Sequence, residues 1–361
     1  MKTSASSGLS LRGDSLYCPL SFSLDTYSNC LCDCWHCYLR RLNYVWGGLD
    51  KISAIDTDVL QKKLSSGLKN TNPKSPLAHA IKSKKTIRFG NKSDPFQPVE
   101  KEHMASYKAL RILFDLQWPT VIQTMCTGIM TDYLLEMAPA AKYFVVQPII
   151  SPGGEIDWER LERRRTTPIS DRLTDIKKLL KVGFFCAVNG EPFIPGFHEE
   201  FMFEDTIKRL KSAGIKHYNT YNFHFNDFVA KRLVKIGIDI EKIWEMNQDK
   251  NWKPILARLF DIADKHGVVL GCPDFVNMPS DRRNETNTCC GIDVPSPTTF
   301  NTHIWRNMVI DGKPTDEIIA ETFDGIGDVE EGQKVLRGKS SEFYTMADAG
   351  LVKKTKEGLL F

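Results

Sequence analysis

The chain has 361 residues, of which 42% are hydrophobic and 26% charged, with a formal net charge of +3. This composition excludes an intrinsically disordered chain, and the length allows one large domain or two ordinary ones. The charge neither requires nor excludes a polyanionic partner. Apolar runs stay below the ~18 residues of a membrane span, and residues 1–15 lack the apolar core of a signal peptide. A cytoplasmic monomer without membrane contact is therefore expected.

Apolar, β-rich runs alternate with amphipathic helical stretches along the first two-thirds of the chain. The predicted strands are residues 20–27, 86–91, 120–125, 143–150, 183–189, 216–223 and 267–272. The predicted helices are residues 56–68, 99–113, 131–137, 170–181, 203–213, 228–236, 240–246 and 252–266. This alternation indicates an α/β fold with a parallel sheet and helical crossovers. Six such units make a partial (β/α)6 TIM-type barrel, with its chemistry at the carboxyl ends of the strands.

After about residue 225 the pattern becomes mostly helical and then rich in loops. We therefore predict a barrel domain over residues 1–225 and a C-terminal extension over residues 226–361. The extension is expected to pack on the barrel and to contribute to the substrate site. A short hairpin is expected around residues 356–358.

Ten cysteines are the unusual feature of the composition, because four of them fall between residues 30 and 37. In a chain without an export signal, clustered thiols indicate metal binding or redox chemistry rather than disulfides. The loop after the first predicted strand contains Cys30-x3-Cys34-x2-Cys37. Three thiolates at this spacing can hold three irons of a [4Fe–4S] cube and leave the fourth iron open to a small molecule. Cys32 falls between two of these ligands and is expected to point away.

Three other interpretations of the cysteine loop stay open at this point. Cys34 and Cys37 have the spacing of a thioredoxin-like redox pair, although that motif is expected to begin a helix in a different βαβ context. A structural zinc site needs a second pair of ligands, and the next cysteine is as distant as Cys126. Chance clustering of thiols is the third interpretation.

A Cys-x3-Cys-x2-Cys loop after the first strand of a partial barrel resembles the radical SAM superfamily. Three further segments, at residues 89–98, 161–173 and 192–196, resemble its spore photoproduct lyase-like branch. The resemblance spans about residues 17–225. It implies a [4Fe–4S] cluster that binds S-adenosylmethionine (SAM) and cleaves it, with one electron, to a 5′-deoxyadenosyl radical that abstracts a substrate hydrogen. It also implies a reductant such as flavodoxin or ferredoxin.

The same resemblance assigns side chains to the cofactor. The predicted cofactor-binding residues are His36, Tyr38, Gly90, Asn91, Ser93, Asp94, Arg172, Asn189 and Pro195. Gly90 allows a close backbone approach, the polar residues after it can hydrogen-bond an amino group, and Arg172 can clamp a carboxylate. Asn189 and the turn at Pro195 can meet the adenine. An ordinary polar turn or a solvated helix residue is the alternative for each position.

The sequence departs from the photoproduct lyases in two ways. Those enzymes place a hydrogen-donating cysteine near the second-strand motif, whereas residues 88–98 contain none. A lysine that related enzymes carry at the end of the third strand is missing from residues 123–127. Cys126 lies at that strand end. Two interpretations stay open for it: a catalytic thiol that faces the substrate, and a buried, inert thiol.

The cysteines near the C-terminus carry a further set of alternatives. Cys290 is a second candidate catalytic thiol. Together with Cys272 and Cys289 it could instead ligate an auxiliary cluster, or all three could be buried. Cys18 and Cys186 lie in apolar strand patterns and are expected in the core.

The substrate hypothesis rests mainly on the resemblance. Residues 160–165 are rich in arginine and could contact phosphates, although a solvated face is the alternative. Aromatic residues that could stack a flipped base, or belong to the core, are Trp158, Phe193, Tyr218, Tyr221 and Phe223.

The lyase-like branch includes phage-type relatives that rearrange amino-acid groups attached to thymine. Because the donor cysteine is missing, the leading hypothesis is an isomerase acting on modified DNA, or its nucleoside, in DNA hypermodification. A photoproduct-type repair lyase is an alternative. Others are a radical SAM enzyme that acts on a peptide or small molecule with an auxiliary cluster, and a zinc-binding nucleic-acid module.

Overall fold

The structure is a computed structural model that describes residues 6–11, 20, 22–37, 52–223, 226–271, 353–355 and 358–360. Its strands are β1 (Leu9–Leu11), β2 (Phe22–Leu24), β3 (Ile87–Phe89), β4 (Thr120–Thr124), β5 (Phe144–Pro148), β6 (Phe185–Cys186), β7 (Val188–Asn189), β8 (His217–Asn219), β9 (Val269–Gly271), β10 (Lys353–Thr355) and β11 (Gly358–Leu360).

The helices alternate with these strands. They are α1 (Thr57–Lys69), α2 (Pro76–Lys82), α3 (Glu100–His103), α4 (Ala105–Asp115), α5 (Thr127–Glu136), α6 (Glu155–Arg160), α7 (Ile169–Lys181), α8 (Glu200–Ser212), α9 (Asp227–Val234), α10 (Ile240–Met246) and α11 (Asp249–His266). A 3-10 helix, Ala138–Lys142, precedes β5. Within the described residues, no helix is both long and apolar enough to span a membrane.

The sheet is parallel after its first strand. β1 to β6 lie side by side in chain order; β1 is antiparallel to β2, and each later pair is parallel. β7, β8 and β9 form a second parallel group. A parallel bridge between Ile149, just after β5, and Asn189 in β7 joins the two groups. The parallel sheet therefore continues from β2 to β9, and the carboxyl ends of its strands share one edge.

Both faces of the sheet are buried, as parallel sheets require. On one face Val121 and Val145 pack with Leu20 and Ala187 in a small separate cluster. On the other face the alternate residues of the same strands, such as Ile122, belong to the main core with the helices. This alternation follows from the two-residue period of a strand.

The predicted parallel α/β architecture is confirmed, and each predicted strand contains observed strand residues. The predicted helix at 99–113 is two helices, because Met104 takes a left-handed conformation with φ of 53°. Three short elements, β1, α2 and α6, were missed, because three to seven residues display too little periodicity. The hairpin expected near residues 356–358 is confirmed as the antiparallel pair β10–β11. The domain division at residue 225 stays a prediction; β9 lies beyond it and pairs with β8.

Candidate active site

A cavity of about 230 Å³ lies at the carboxyl ends of the parallel strands, and we call it the strand-end cavity. The loop after β2 contributes Cys30, Cys32, Cys34, His36 and Cys37. The ends of β3 and β4 contribute Arg88, Gly90, Asn91, Lys92, Ser93, Asp94, Gln123, Thr124 and Met125. The segments after β5, β7 and β8 contribute Ile149, Asn189, Glu191, Pro192, Tyr221, Asn222 and Phe223. The cavity therefore lies where the barrel pattern predicts chemistry.

Three cysteine thiols with the predicted spacing meet at this cavity. Cys30 and Cys37 are half-buried and Cys34 is buried. Burial, together with the negative charge of Glu162, raises the pKa of the Cys34 thiol well above its usual range. A buried thiolate is therefore unfavourable here unless a cation neutralises it, and three cysteines provide the soft sulfur donors that iron–sulfur clusters use.

A buried amide holds the cysteine loop, residues 25–37, against the loop after β3. The backbone N–H of Leu31 donates to Gln97 Oε1 at 2.7 Å, and Gln97 Nε2 donates to the carbonyl oxygen of Asn29 at 2.8 Å. Ser93 Oγ donates to the carbonyl oxygen of Tyr27 at 2.9 Å. The backbone on the N-terminal side of the cluster ligands is thus fixed by side chains from the neighbouring loop.

An ion-pair network holds the other half of the cysteine loop. Asp33 has a φ of 51°, and its carboxylate pairs with Arg163 and, at 2.9 Å, with Arg232. The same two guanidinium groups lie over the ring of Trp35, 4.9 and 5.2 Å from its centroid. The backbone N–H of Trp35 donates to the carbonyl oxygen of Leu161 at 2.7 Å. Part of the arginine-rich stretch therefore positions the cysteine loop.

The loop after β3 uses most of its polar groups internally. Asp25 Oδ1 accepts hydrogen bonds from the backbone N–H groups of Asn91 and Lys92, at 2.8 and 2.6 Å. Asp94 accepts from Thr124 Oγ1 and from the backbone N–H of Met125, both at 2.7 Å. Burial raises the pKa of Asp94 above its usual value. Asp94 thus lines the cavity while fastening β3 to the end of β4.

Gly90 serves packing between strands. Its φ is 87°, and a Cβ added there would lie 2.6 Å from the carbonyl oxygen of Gln123 and 2.6 Å from Pro95 Cδ. Both contacts are below the van der Waals limit, so any side chain would separate the loop from β4. The glycine is needed for this close approach and for the left-handed backbone.

Some buried polar atoms at the cavity have no hydrogen-bond partner within the described part of the chain. Asn91 Nδ2 and His36 Nδ1 are among them. An unsatisfied buried donor or acceptor costs about 1–3 kcal/mol, so a bound polar molecule is the natural partner. Three thiols beside these two atoms form a donor set that fits an iron–sulfur cluster together with a polar cofactor.

Arg172 lies behind the cavity and does not line it. It is fully buried and pairs with Glu162, and its other hydrogen bonds go to Thr166 Oγ1 and to the carbonyl oxygens of Ile149 and Thr167, at 2.5 to 2.7 Å. With its donors engaged in this way, the guanidinium fastens the α6–α7 connection to β5 in this structure.

Of the other predicted site residues, some line the cavity, some do not, and some lie outside the described residues. Asn189 lines the cavity, and its Oδ1 accepts from the backbone N–H of Glu191 at 2.9 Å. Pro195 is not among the lining residues. Tyr38 and Cys290 lie outside the described residues, as do Cys18, Cys272 and Cys289.

Cys126 is buried before α5 and does not line the cavity. Its Sγ lies 3.8 Å from Cys32 Sγ. Contact with the Cys32 thiol lowers the pKa of Cys126, but burial and the charge of Asp94 outweigh it and raise the pKa to about 11. Cys186, in β6, is buried in the core as predicted.

Several lining residues were not singled out from the sequence. Arg88, Lys92, Glu191 and Asn222 all border the cavity. Lys92, Glu191 and Asn222 stand at or just after the ends of predicted strands, and that position alone could have identified them. Arg88 lies inside a predicted strand. Of the predicted aromatic residues, Tyr221 and Phe223 line the cavity, whereas Trp158, Phe193 and Tyr218 do not.

Comparison with known proteins shows the fold. No protein-family model and no curated protein sequence matches the chain. A structure of spore photoproduct lyase with dinucleoside spore photoproduct aligns over 72% of this chain and 79% of its own, with 14% identity and a TM-score of 0.53. A cysteine-to-serine variant of that lyase gives 14% identity, the same coverages and a TM-score of 0.54. Streptococcus suis SuiB bound to SAM aligns over 69% of this chain and 49% of its own, at 12% identity and a TM-score of 0.48. The predicted partial barrel is thereby confirmed as the fold of spore photoproduct lyase.

Proposed function

We propose that the chain is a radical SAM enzyme that rearranges a thymine-derived, amino-acid-modified base during DNA hypermodification. The observation that carries this proposal is a set of three cysteine thiols, spaced Cys-x3-Cys-x2-Cys, on a cavity at the strand ends of a lyase-like barrel. When bound, a [4Fe–4S] cluster with SAM supplies one-electron chemistry that yields a 5′-deoxyadenosyl radical, which removes a hydrogen atom from the substrate.

The cysteine loop provides the groups that would hold the cofactors. Cys30, Cys34 and Cys37 would bind three irons and leave one for SAM. Asn91 Nδ2 and His36 Nδ1, which lack partners within the described residues, would take hydrogen bonds with the SAM molecule. Gln97 would act indirectly, by keeping the loop that carries the thiols in place.

Other residues that line the cavity have the chemistry of a nucleotide site. Arg88 and Lys92 provide positive charge that suits a phosphate. Tyr221 and Phe223 provide aromatic surface that suits a base. These side chains support a modified nucleotide, presented singly or extruded from DNA, as the substrate.

An isomerase is favoured over a lyase by the positions of the thiols. In an isomerisation, the hydrogen atom taken by 5′-deoxyadenosine returns to the rearranged product, so no protein thiol is consumed. Residues 88–98 contain no cysteine. Within the described part of the chain, Cys126 lies behind the cavity rather than on it. Both observations weigh against a hydrogen donor in residues 88–98 or at Cys126. Within the described residues they leave Cys32 as the thiol that lines the cavity without being a proposed cluster ligand.

A repair lyase is the second candidate, because the fold matches a lyase that binds a dinucleoside photoproduct. In that case Cys126 or Cys290 would be the hydrogen donor, and the products would be two restored thymines.

The test is an anaerobic reaction of the reconstituted chain with SAM, dithionite and DNA that carries amino-acid-decorated thymines. Digestion and mass spectrometry are expected to reveal a nucleoside of unchanged mass and altered retention, absent with Cys37→Ala. Conversion of photoproduct DNA to thymine would instead establish the lyase. Unchanged DNA of both kinds, with 5′-deoxyadenosine still formed, would refute the DNA-base substrate.

A further inference from the structure

A second cluster of metal-binding groups joins the cysteine loop to the ends of β3 and β4. Cys32 Sγ, Cys126 Sγ and a carboxylate oxygen of Asp94 all lie within 4.8 Å of one another. Neither thiol has a role in the proposed isomerase reaction, and both are buried. The two cysteines are 94 residues apart in sequence, so the fold rather than local spacing brings them together.

The distance between the two sulfur atoms suits a single ion. A tetrahedral zinc ion with Zn–S bonds of about 2.3 Å places its sulfur ligands about 3.8 Å apart. Cys32 Sγ and Cys126 Sγ are 3.8 Å apart. The pair can therefore bind one ion with little movement of the loop.

The carboxylate is oriented as a third ligand. Asp94 accepts hydrogen bonds from Thr124 Oγ1 and from the backbone N–H groups of Phe96 and Met125, at 2.7 to 2.9 Å. Three bonds leave an acceptor site free on a carboxylate that has about four. Ligands of bound metals are commonly held by such outer hydrogen bonds, which fix their orientation.

We propose that Cys32, Cys126 and Asp94 form a second metal site, for one thiophilic divalent cation of the zinc class. Binding would release the two thiol protons and leave a complex of one negative charge. Three protein ligands leave a fourth position, and because Cys32 and Asp94 also line the strand-end cavity, a water or a substrate atom can reach it. Its three ligands are distinct from the proposed cluster ligands, although the Cys32 thiol contacts the thiol of Cys30. The site does not rest on the proposed function.

The test is a metal count on the full chain, reconstituted anaerobically with iron and sulfide and then exposed to one equivalent of Zn²⁺ and desalted. We expect about four irons and one zinc per chain. Cys32→Ala and Cys126→Ala should keep the iron and lose the zinc. Cys186→Ala, which removes another buried thiol, should keep both metals. Absence of zinc from the unaltered chain, its retention in both site variants, or iron loss in Cys32→Ala would overturn the assignment.

A second measurement needs no variant. Zinc-edge X-ray absorption of the loaded, unaltered chain should reveal two sulfur neighbours at about 2.3 Å and otherwise oxygen or nitrogen. Three or four sulfur neighbours would place the ion on the cluster cysteines instead, and no sulfur neighbours would also refute the site. Iron content and SAM cleavage are measured separately, so failure of this site and failure of the proposed function are distinguishable.

Discussion

The two loops that meet at the strand-end cavity have opposite roles. The cysteine loop, residues 25–37, exposes reactive groups to the cavity but depends on outside contacts for its shape. The loop after β3, residues 90–98, has five polar side chains. Three of them, Ser93, Asp94 and Gln97, form hydrogen bonds with the protein. Lining a cavity therefore does not identify a ligand-binding residue. The hydrogen-bond partners distinguish the groups that react from the groups that hold them.

Removing a proposed cluster ligand should have the largest effect. Cys37→Ala is expected to lose most of its iron after anaerobic reconstitution, because two remaining thiolates hold a cube poorly. Cys186→Ala is the matched control, since it removes a core thiol and should keep about four irons. Iron assay and the visible absorption spectrum measure both. A full iron content in Cys37→Ala would contradict the ligand assignment.

Removing the buried amide of Gln97, in the loop after β3, should have the next largest effect. Gln97→Ala removes the hydrogen bonds to the backbone N–H of Leu31 and to the carbonyl oxygen of Asn29, and each lost bond costs about 1–3 kcal/mol. We expect the free energy of unfolding, measured by urea denaturation of the iron-free chain, to fall by about 2–4 kcal/mol. Gln61→Ala, at an exposed position of α1, should change it by less than about 0.5 kcal/mol. Equal stabilities of the two variants would show that the bridge does not hold the loop.

The ion pairs of Asp33 should have a smaller effect. Asp33→Asn weakens the contacts with Arg163 and Arg232, and the Asp33 and Arg232 side chains are only 13% and 12% exposed. Hydrogen bonds to charged groups contribute about 1.5–3 kcal/mol when little exposed, so a loss of about 2 kcal/mol in unfolding free energy is expected. Asp115→Asn, in a pair with Arg111 at 3.9 Å, should cost less than about 0.5 kcal/mol. A double-mutant cycle with Arg232→Gln that gives no coupling energy would show that the Asp33–Arg232 ion pair does not stabilise the cysteine loop.

Two side chains of the loop after β3, Asn91 and Ser93, give the smallest expected effects. Asn91→Ala removes a donor without a partner among the described residues, so stability should stay within about 0.5 kcal/mol while SAM binds about 5- to 10-fold more weakly. Ser93→Ala removes a bond to Tyr27 and should cost about 1 kcal/mol of stability. Calorimetry with SAM and urea denaturation separate the two. If Asn91→Ala binds SAM normally, that side chain does not contact the cofactor.

The strands and the cysteine loop were predictable from the sequence. Apolar, β-rich runs located β4 and β5 within one or two residues, and the thiol spacing after β2 was visible without any tertiary information. These features are local, so propensity and spacing are enough to reveal them.

The partners of the polar residues were not predictable. Asp94 bonds to Thr124, 30 residues further along the chain, and Arg172 bonds to the carbonyl oxygen of Ile149, 23 residues before it. A sequence identifies these groups as hydrogen-bonding residues but not their partners, which only the sheet order brings together. The pairing of Cys32 with Cys126 was hidden for the same reason.

The proposed function requires that Cys30, Cys34 and Cys37 hold a [4Fe–4S] cluster with one iron open to SAM. Electron paramagnetic resonance of the reduced, reconstituted chain, recorded with and without SAM, tests it most directly. We expect the spectrum of a [4Fe–4S]⁺ cluster whose g-values shift when SAM is added, in the unaltered chain and in Cys32→Ala alike. An identical spectrum with and without SAM, or loss of the cluster in Cys32→Ala, would contradict it.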